Sequence, residues 1–296
     1  MCYSGREKTI PLSMKDMPRP VGAPMAERML KEDETPLFTA KNYVRATCLQ
    51  EAYDLNQKRA NAILGGGCWM KMGARSIGTL IDLSGLDLDQ IQEEEDCFTL
   101  GAMVTLRQME THAGLCRALG PALKKSLRHI VGVQFRNCAT LGGTLYSRFG
   151  FSDVLTLLLA LDCQVQLVGA GLVPLEVYAQ QPYDRDVLSH LHIKKNGRKV
   201  AYESFRNTQT DLPVLTCALS TDGQTVRTVV GARPGRAKRS SMELALGATE
   251  KEVADYLQVL QKELRFDGNL RGSEAYRRHL CGVLFRRALG QLREGM

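Results

Sequence analysis

The chain is short of the residue patterns from which most chemical sites are built. Nine cysteines are scattered through 296 residues, and no two form a CxxC pair, which excludes zinc-finger spacing and the local ligand runs of iron–sulfur clusters. Of five histidines, only His190 and His192 stand close. Spaced i, i+2, they would share a face of a strand, and with no third ligand they read as a polar strand face, not a metal pair. No GxSxG marks a serine nucleophile. No GK[ST] follows a glycine run, and the third glycine of a GxGxxG counted from Gly65 is Met70, so neither a P-loop nor a Rossmann fingerprint is present. No catalytic residue and no metal ligand is assigned. Aromatics are 6% of the chain and are not interleaved with basic residues, which argues against nucleic-acid binding. The longest apolar stretch, around Val154–Leu161, is far below the roughly 20 residues of a membrane span. Met1–Lys15 has no apolar core of a signal peptide. The odd, scattered cysteines are expected to be reduced thiols in the cytoplasm.

What the chain does have is glycine in two informative places. Leu64-Gly65-Gly66-Gly67-Cys68-Trp69 lies about 75 residues before Thr140-Leu141-Gly142-Gly143-Thr144. Paired glycines in a turn let backbone N–H groups approach an anion closely. The hydroxyls of Thr140, Thr144 and Ser147 and the carboxylate of Asp153 suit phosphate and ribose oxygens. Two such turns suggest a long ligand with a diphosphate in its middle, a dinucleotide. Cys68 has no basic neighbour in sequence and reads as a packed small side chain. The net charge is +7, much of it in Arg233, Arg236, Lys238, Arg239, Arg271, Arg277, Arg278, Arg286 and Arg287, read as a solvated face or a patch for an acidic partner.

Residues 1–36 hold five of the ten prolines and are expected to be an irregular arm. Helices are expected at Val44–Lys58, from Thr105 (with Gln108 as a capping box), and at Pro121–Ile130 and Asp153–Leu161. Strands are expected at Ala62–Leu64, Thr79–Leu83, Cys97–Val104 and Gln164–Val168. Beyond about residue 200, Pro213–Ser220 and Thr225–Val230 flank Asp222-Gly223, a hairpin signal. Thr249 and Glu252 open an amphipathic helix, and Ser273–Leu292 is another. The fold class is α+β, with parts at 37–200 (split near 95) and 201–296.

Four segments together carry a family likeness: Ile63-Leu-Gly-Gly-Gly67; the run from Gly132 through Gln134, Arg136 and Asn137 to Thr140-Leu-Gly-Gly-Thr144 and Asp153; Leu159-Ala-Leu-Asp162; and Asp267-Gly-Asn-Leu-Arg-Gly-Ser-Glu-Ala-Tyr-Arg-Arg278. From about Phe38 to Leu292 the chain resembles the FAD-binding subunit of molybdenum hydroxylases, the group containing xanthine dehydrogenase and carbon monoxide dehydrogenase. The resemblance implies a PCMH-type (vanillyl-alcohol-oxidase-like) FAD-binding fold followed by a C-terminal α+β domain of an antiparallel sheet and helices. It implies FAD as cofactor, held by Gly65, Gly66, Gly67, Cys68 and Trp69 in one loop and by Thr140, Gly142, Gly143 and Thr144 in the other. Ser147 and Asp153 would meet phosphate, ribose or ribityl oxygens, and Ile130 and Leu188 the isoalloxazine ring. Implied partners are a [2Fe-2S] iron–sulfur subunit and a molybdopterin-binding subunit, with NAD+ or another acceptor taking the electrons, and neither nucleic acid nor membrane. The alternatives are a stand-alone flavin oxidase of the same fold and a scaffold subunit without FAD. The chain departs from the family pattern twice: Thr144 stands for the usual asparagine, and the usual flavin-proximal lysine falls near Glu203–Ser204, with Arg206 the nearest basic residue.

Overall fold

The computed structural model describes residues 38–295; the arm expected over 1–36 lies outside them. The described part begins with a strand, Thr39–Arg45 (β1), in place of the first residues of the expected Val44–Lys58 helix. Six of its seven residues are exposed, so no buried face imposes a period of two on its sequence. Parallel pairing with Ser76–Asp82 (β3) is what makes it a strand. The helix itself is only Leu49–Asn56 (α1), capped by Cys48, whose Sγ accepts the Glu51 N–H at 3.4 Å. Ala62–Leu64 (β2) completes a parallel sheet in the order β1-β3-β2.

A second sheet is antiparallel, in the order β4-β5-β8-β6-β7. Its strands are Ile91–Glu93 (β4), Cys97–Gly101 (β5), Cys163–Leu167 (β6), Gly171–Pro174 (β7) and Leu188–Lys194 (β8). Between β5 and β6 run short helices: Leu106–Thr111 (α2), Ala113–Leu119 (α3), Pro121–Leu127 (α4), Val133–Cys138 (α5), Leu141–Ser147 (α6) and Asp153–Leu159 (α7). The expected capping box of Thr105 and Gln108 opens α2. Every residue of α7 is buried, which is why that stretch of sequence shows no polar face. Leu175–Gln180 (α8) precedes β8.

The third sheet has the order β12-β11-β10-β9: Lys199–Phe205 (β9), Leu215–Thr221 (β10), Thr225–Gly231 (β11) and Lys238–Arg239 (β12), with Leu244–Ala245 (β13) also on β11. Glu250–Glu263 (α9), opened by the Thr249–Glu252 capping box, and Glu274–Glu294 (α10) cover one face. All of β10 is buried because both faces are covered. Leu215, Cys217 and Leu219 pack with α9 and α10. Ala218, with Tyr202 and Val229, packs into the core of the second sheet and its helices. The second face is sealed by hydroxyls as well as by apolar groups: Thr216 Oγ1 pairs with Thr156 Oγ1 at 3.0 Å, and Ser220 Oγ donates to Ala160 O. Beneath this sheet Arg277, 1% exposed, is held by carbonyl-type oxygens: Val214 O at 2.9 Å, Asp267 O at 2.8 Å and Asn269 Oδ1 at 2.6 Å.

The expected hairpin forms between β10 and β11. Gly223 has φ 99°, a conformation that favours glycine. Backbone N–H groups of Thr225 and Gln224 donate to the Asp222 carboxylate and hold its pKa down at about 2. A depressed native pKa adds stability above the unfolded value of about 3.9, and that stability is lost as pH falls through the native value. Asp222→Ala should therefore flatten the loss of thermal stability between about pH 4 and 2. Melting curves across that range test this; a variant as acid-sensitive as the parent would contradict it.

Candidate functional site

A cavity of about 990 Å³ opens among these elements, at the upper end of the range for small-molecule sites, roughly 300–1,000 Å³. Gly65, Gly66, Gly67, Cys68, Trp69, Ile130, Thr140, Gly142, Gly143, Thr144, Ser147, Asp153 and Leu188 all line it. Residues up to 123 positions apart in sequence thus share one surface.

The glycines are required first by the chain's own packing. A Cβ on Gly66 would lie 1.7 Å from the Cys138 carbonyl oxygen, one on Gly65 2.9 Å from Thr140 Oγ1, and one on Gly142 2.7 Å from Ala102. The loop after β2 therefore lies backbone to backbone on the segment that joins α5 to α6. Gly67 adopts φ 69°, the left-handed region that favours glycine. Gly143 differs: it is exposed, and the one close neighbour of a Cβ there is Thr140 Oγ1 at 3.1 Å.

The paired glycines at 142–143, expected in a turn, lie instead in the first turn of α6, with Thr140 as its N-cap. Their N–H groups already have acceptors. Leu141 donates to Val104 O at 2.8 Å, Gly142 to Ala102 O at 2.7 Å, Gly143 to Thr140 Oγ1 at 3.2 Å and Thr144 to Thr140 O at 3.1 Å. A hydroxyl at a helix start satisfies an otherwise unpaired N–H, so a threonine before two glycines builds a cap as readily as a turn. The upstream loop behaves oppositely: the N–H groups of Gly66, Gly67, Cys68 and Trp69 have no acceptor among the described residues. Backbone donors for an anion therefore come from 66–69, while 142–144 offers a floor without side chains and the half-buried Thr144. Ser147 Oγ donates to Gly143 O at 2.6 Å and keeps its lone pairs for a further donor.

Asp153 is the first residue of α7 and is buried. Its Oδ1 accepts from the Tyr202 hydroxyl and from Arg206 Nη2 at 2.6 Å. Burial pushes its pKa up, against the pull of Arg206 and Tyr202. Arg206 also donates to Ser204 Oγ at 2.5 Å and Asp211 O at 3.1 Å. This guanidinium lines the cavity, whereas Glu203 turns to Lys125 and Gln291. His129, not anticipated from sequence, also lines the cavity; its Nδ1 has no partner among the described residues, and burial lowers its pKa.

Ile130 is presented by a strained loop. Val131 has φ 51°, costly for a β-branched residue. The buried Arg136 holds this loop by donating to Ile130 O at 3.2 Å and Arg128 O at 3.3 Å, while its Nε donates to Glu110 at 3.0 Å. Trp69 packs against Phe149 and Phe151 at ring distances of 5.4 and 5.6 Å, and those two stack at 4.9 Å. Both phenylalanines line the cavity; no local sequence signal separated them from core aromatics. Elsewhere, His190 and His192 lie on β8 with rings 6.3 Å apart. Both His192 nitrogens are engaged, by Thr99 and Gln166 at 3.1 Å. No helix among the described residues is long and apolar enough to cross a membrane.

Residues 38–195 match the family described as the FAD binding domain in molybdopterin dehydrogenase, and residues 200–292 match the CO dehydrogenase flavoprotein C-terminal domain. The protein YgfM of Escherichia coli (strain K12) is 27% identical over 253 residues, which cover 82% of this chain and 93% of YgfM. A chain of quinoline 2-oxidoreductase from Pseudomonas putida 86 superposes with a TM-score of 0.76 at 21% identity, covering 88% of this chain and 99% of that one. A carbon monoxide dehydrogenase chain from Hydrogenophaga pseudoflava gives 0.75 at 22% identity, covering 86% and 96%. At such identities the structural likeness speaks for the fold. The family matches go further: this chain belongs to the FAD-binding family of the molybdopterin dehydrogenases, and FAD is its cofactor.

Proposed function

We propose that the chain is the electron-transfer subunit of a cytoplasmic molybdenum hydroxylase of the xanthine or purine dehydrogenase kind, with FAD extended along the cavity. Substrate is oxidised on a molybdopterin subunit, electrons arrive through a [2Fe-2S] subunit, and NAD+ or another acceptor takes them away. FAD, when bound, supplies hydride and single-electron chemistry that no side chain here can supply. The observation that carries the reading is the row of four N–H groups at Gly66–Trp69 without acceptors among the described residues, beside the open surface of Gly143.

In this reading, residues 37–200 (split near 95) form the FAD-binding part and 201–296 the C-terminal part. The 66–69 N–H groups take the diphosphate, with Gly65 allowing the loop its approach. Thr140 fixes the start of α6, so that Gly142 and Gly143 leave room and Thr144 offers a hydroxyl. Ser147 accepts from ribose or ribityl hydroxyls. Ile130 and Leu188 give apolar walls to the ring. Asp153 acts through Arg206, the basic residue nearest in sequence to Glu203–Ser204, where the family's lysine falls; the pair is near neutral overall, and the remaining N–H groups of Arg206 are free to face the ligand.

The purified chain should show the near-ultraviolet and blue absorption bands of oxidised flavin, or gain them with added FAD. A chain that stays colourless would overturn the reading. Gly143→Leu should fold normally by circular dichroism yet lose flavin; full flavin retention would mean the diphosphate lies elsewhere. Gly66→Ala should instead fail to give soluble protein, since its Cβ meets backbone at 1.7 Å. Arg206→Ala strands a buried carboxylate and should cost roughly 3–5 kcal/mol in denaturant unfolding at neutral pH. With the Asp153 pKa raised in the fold, the native state binds the extra proton, so the variant's deficit should shrink as pH falls. A deficit that grows on acidification would show that the pair is not what holds this corner.

A further inference from the structure

Among the described residues that line the main cavity, His129 is the only histidine, the side chain whose charge changes most readily near neutral pH. It is held firmly. The carbonyls on either side of it, those of Arg128 and Ile130, both accept from the buried Arg136, at 3.3 and 3.2 Å. Its Nε2 accepts the Arg128 Nε–H at 2.9 Å. A neutral imidazole that accepts at one nitrogen carries its proton on the other, so the proton is assigned to Nδ1. That nitrogen is buried and has no hydrogen-bond partner among the described residues. A buried donor without an acceptor is costly, and this one belongs to a residue on the wall of a ligand-sized cavity.

The surrounding charges set the ring's state. Burial, then Arg128 on its own loop, then Arg206 after β9 hold the imidazole neutral. Asp153, at the start of α7, and the Gln209 carbonyl favour the charged ring more weakly. The Asp153 carboxylate is itself bonded to Arg206 at 2.6 Å, so its pull is largely cancelled. Asp211, on the same loop as Gln209, is paired with Arg271 at 3.0 Å, and Arg136 beneath the ring with Glu110 at 3.0 Å. Arg128 is exposed. A ring in this setting stays neutral while the cavity gains no charge. Negative charge added beside it opposes the two guanidiniums and raises its affinity for a proton.

We infer that His129 is the proton acceptor of the cavity, taking one proton from water whenever the bound cofactor takes two electrons and returning it when they leave. The inference rests on the FAD reading above. Two electrons from the iron–sulfur partner and one proton go to the cofactor. A second proton from water forms an N–H bond at His129 Nε2, the hydrogen bond from Arg128 to that nitrogen breaks, and the exposed Arg128 side chain turns to water. When the acceptor removes two electrons and one proton, the His129 proton goes back to water.

The test is a spectroelectrochemical titration of the full-length, flavin-loaded protein at a series of pH values from about 6 to 9, a range that brackets the histidine value. The pH slope of the midpoint potential gives the protons taken up per two electrons. The parent should take up two over part of the range, and His129→Gln should take up one fewer at the same pH while keeping its flavin. Arg128→Gln removes a cation and a hydrogen bond that both disfavour the charged ring. It should therefore move the two-proton range upward by about one pH unit, a tenfold change in proton affinity. Equal proton counts in the parent and in flavin-loaded His129→Gln would overturn the inference and leave the FAD reading standing. So would a two-proton range that stays in place in Arg128→Gln, a result that decides even where His129→Gln releases its flavin. A chain that stays colourless with added FAD overturns the inference together with the reading beneath it.

Discussion

Two stretches of backbone, 65–67 and 138–143, touch so closely that no side chain fits between them, and the site's architecture rests on that contact. Gly66 lies on the Cys138 carbonyl, Gly65 on Thr140, and Gly142 on Ala102 at the end of β5. Once these are in contact, the parallel sheet β1–β3 and the helices after β5 are locked at the place where the cavity opens. The N–H groups of Gly66 to Trp69 are then left without an acceptor among the described residues. The same residues that permit the packing thus present a row of N–H donors without acceptors among the described residues, so neither feature can be changed without the other.

The far side of the cavity is closed by charge. The Asp153–Arg206 pair, with the Tyr202 hydroxyl, ties the start of α7 to β9 and to the chain just beyond it. Both side chains are 6% exposed, so the Coulomb attraction is weakly screened, and each ion would be poorly tolerated without the other. Because the third sheet also buries Tyr202, Ala218 and Val229 in the core of the second, the cavity wall and the C-terminal sheet cannot shift independently. That coupling fixes where the Arg206 side chain stands in the cavity lining.

Arginine takes two roles in this fold. Arg136 and Arg277 act as internal scaffolds, collecting backbone carbonyls from loops that lack regular pairing. Arg148 and Arg236 lie over tyrosine rings, Tyr178 at 3.9 Å and Tyr183 at 5.1 Å, an arrangement that a guanidinium tolerates better than an ammonium. Much of the net positive charge seen in the C-terminal sequence is therefore only partly solvated, with Arg233 and Arg277 buried outright.

Local chemistry was readable without the fold. The capping boxes at Thr105 and Thr249, the Asp222-Gly223 hairpin and the amphipathic helices near the C-terminus each depend on residues a few positions apart, and each stands where the sequence puts it. The site residues nominated by motif line one cavity for the same reason: motif and backbone geometry are both local. Other features depended on distant partners. β1 is a strand because β3 pairs with it, not because of any periodicity of its own. The 142–143 pair is helical because Val104 and Ala102 accept the N–H groups of Leu141 and Gly142. Asp153 faces Arg206 instead of open solvent because β9 delivers Tyr202 to the same point. Sequence determined which segments turn, cap and bury; only tertiary structure decided which N–H groups and charges remain without partners, since an acceptor brought from dozens of residues away leaves no mark in the local pattern.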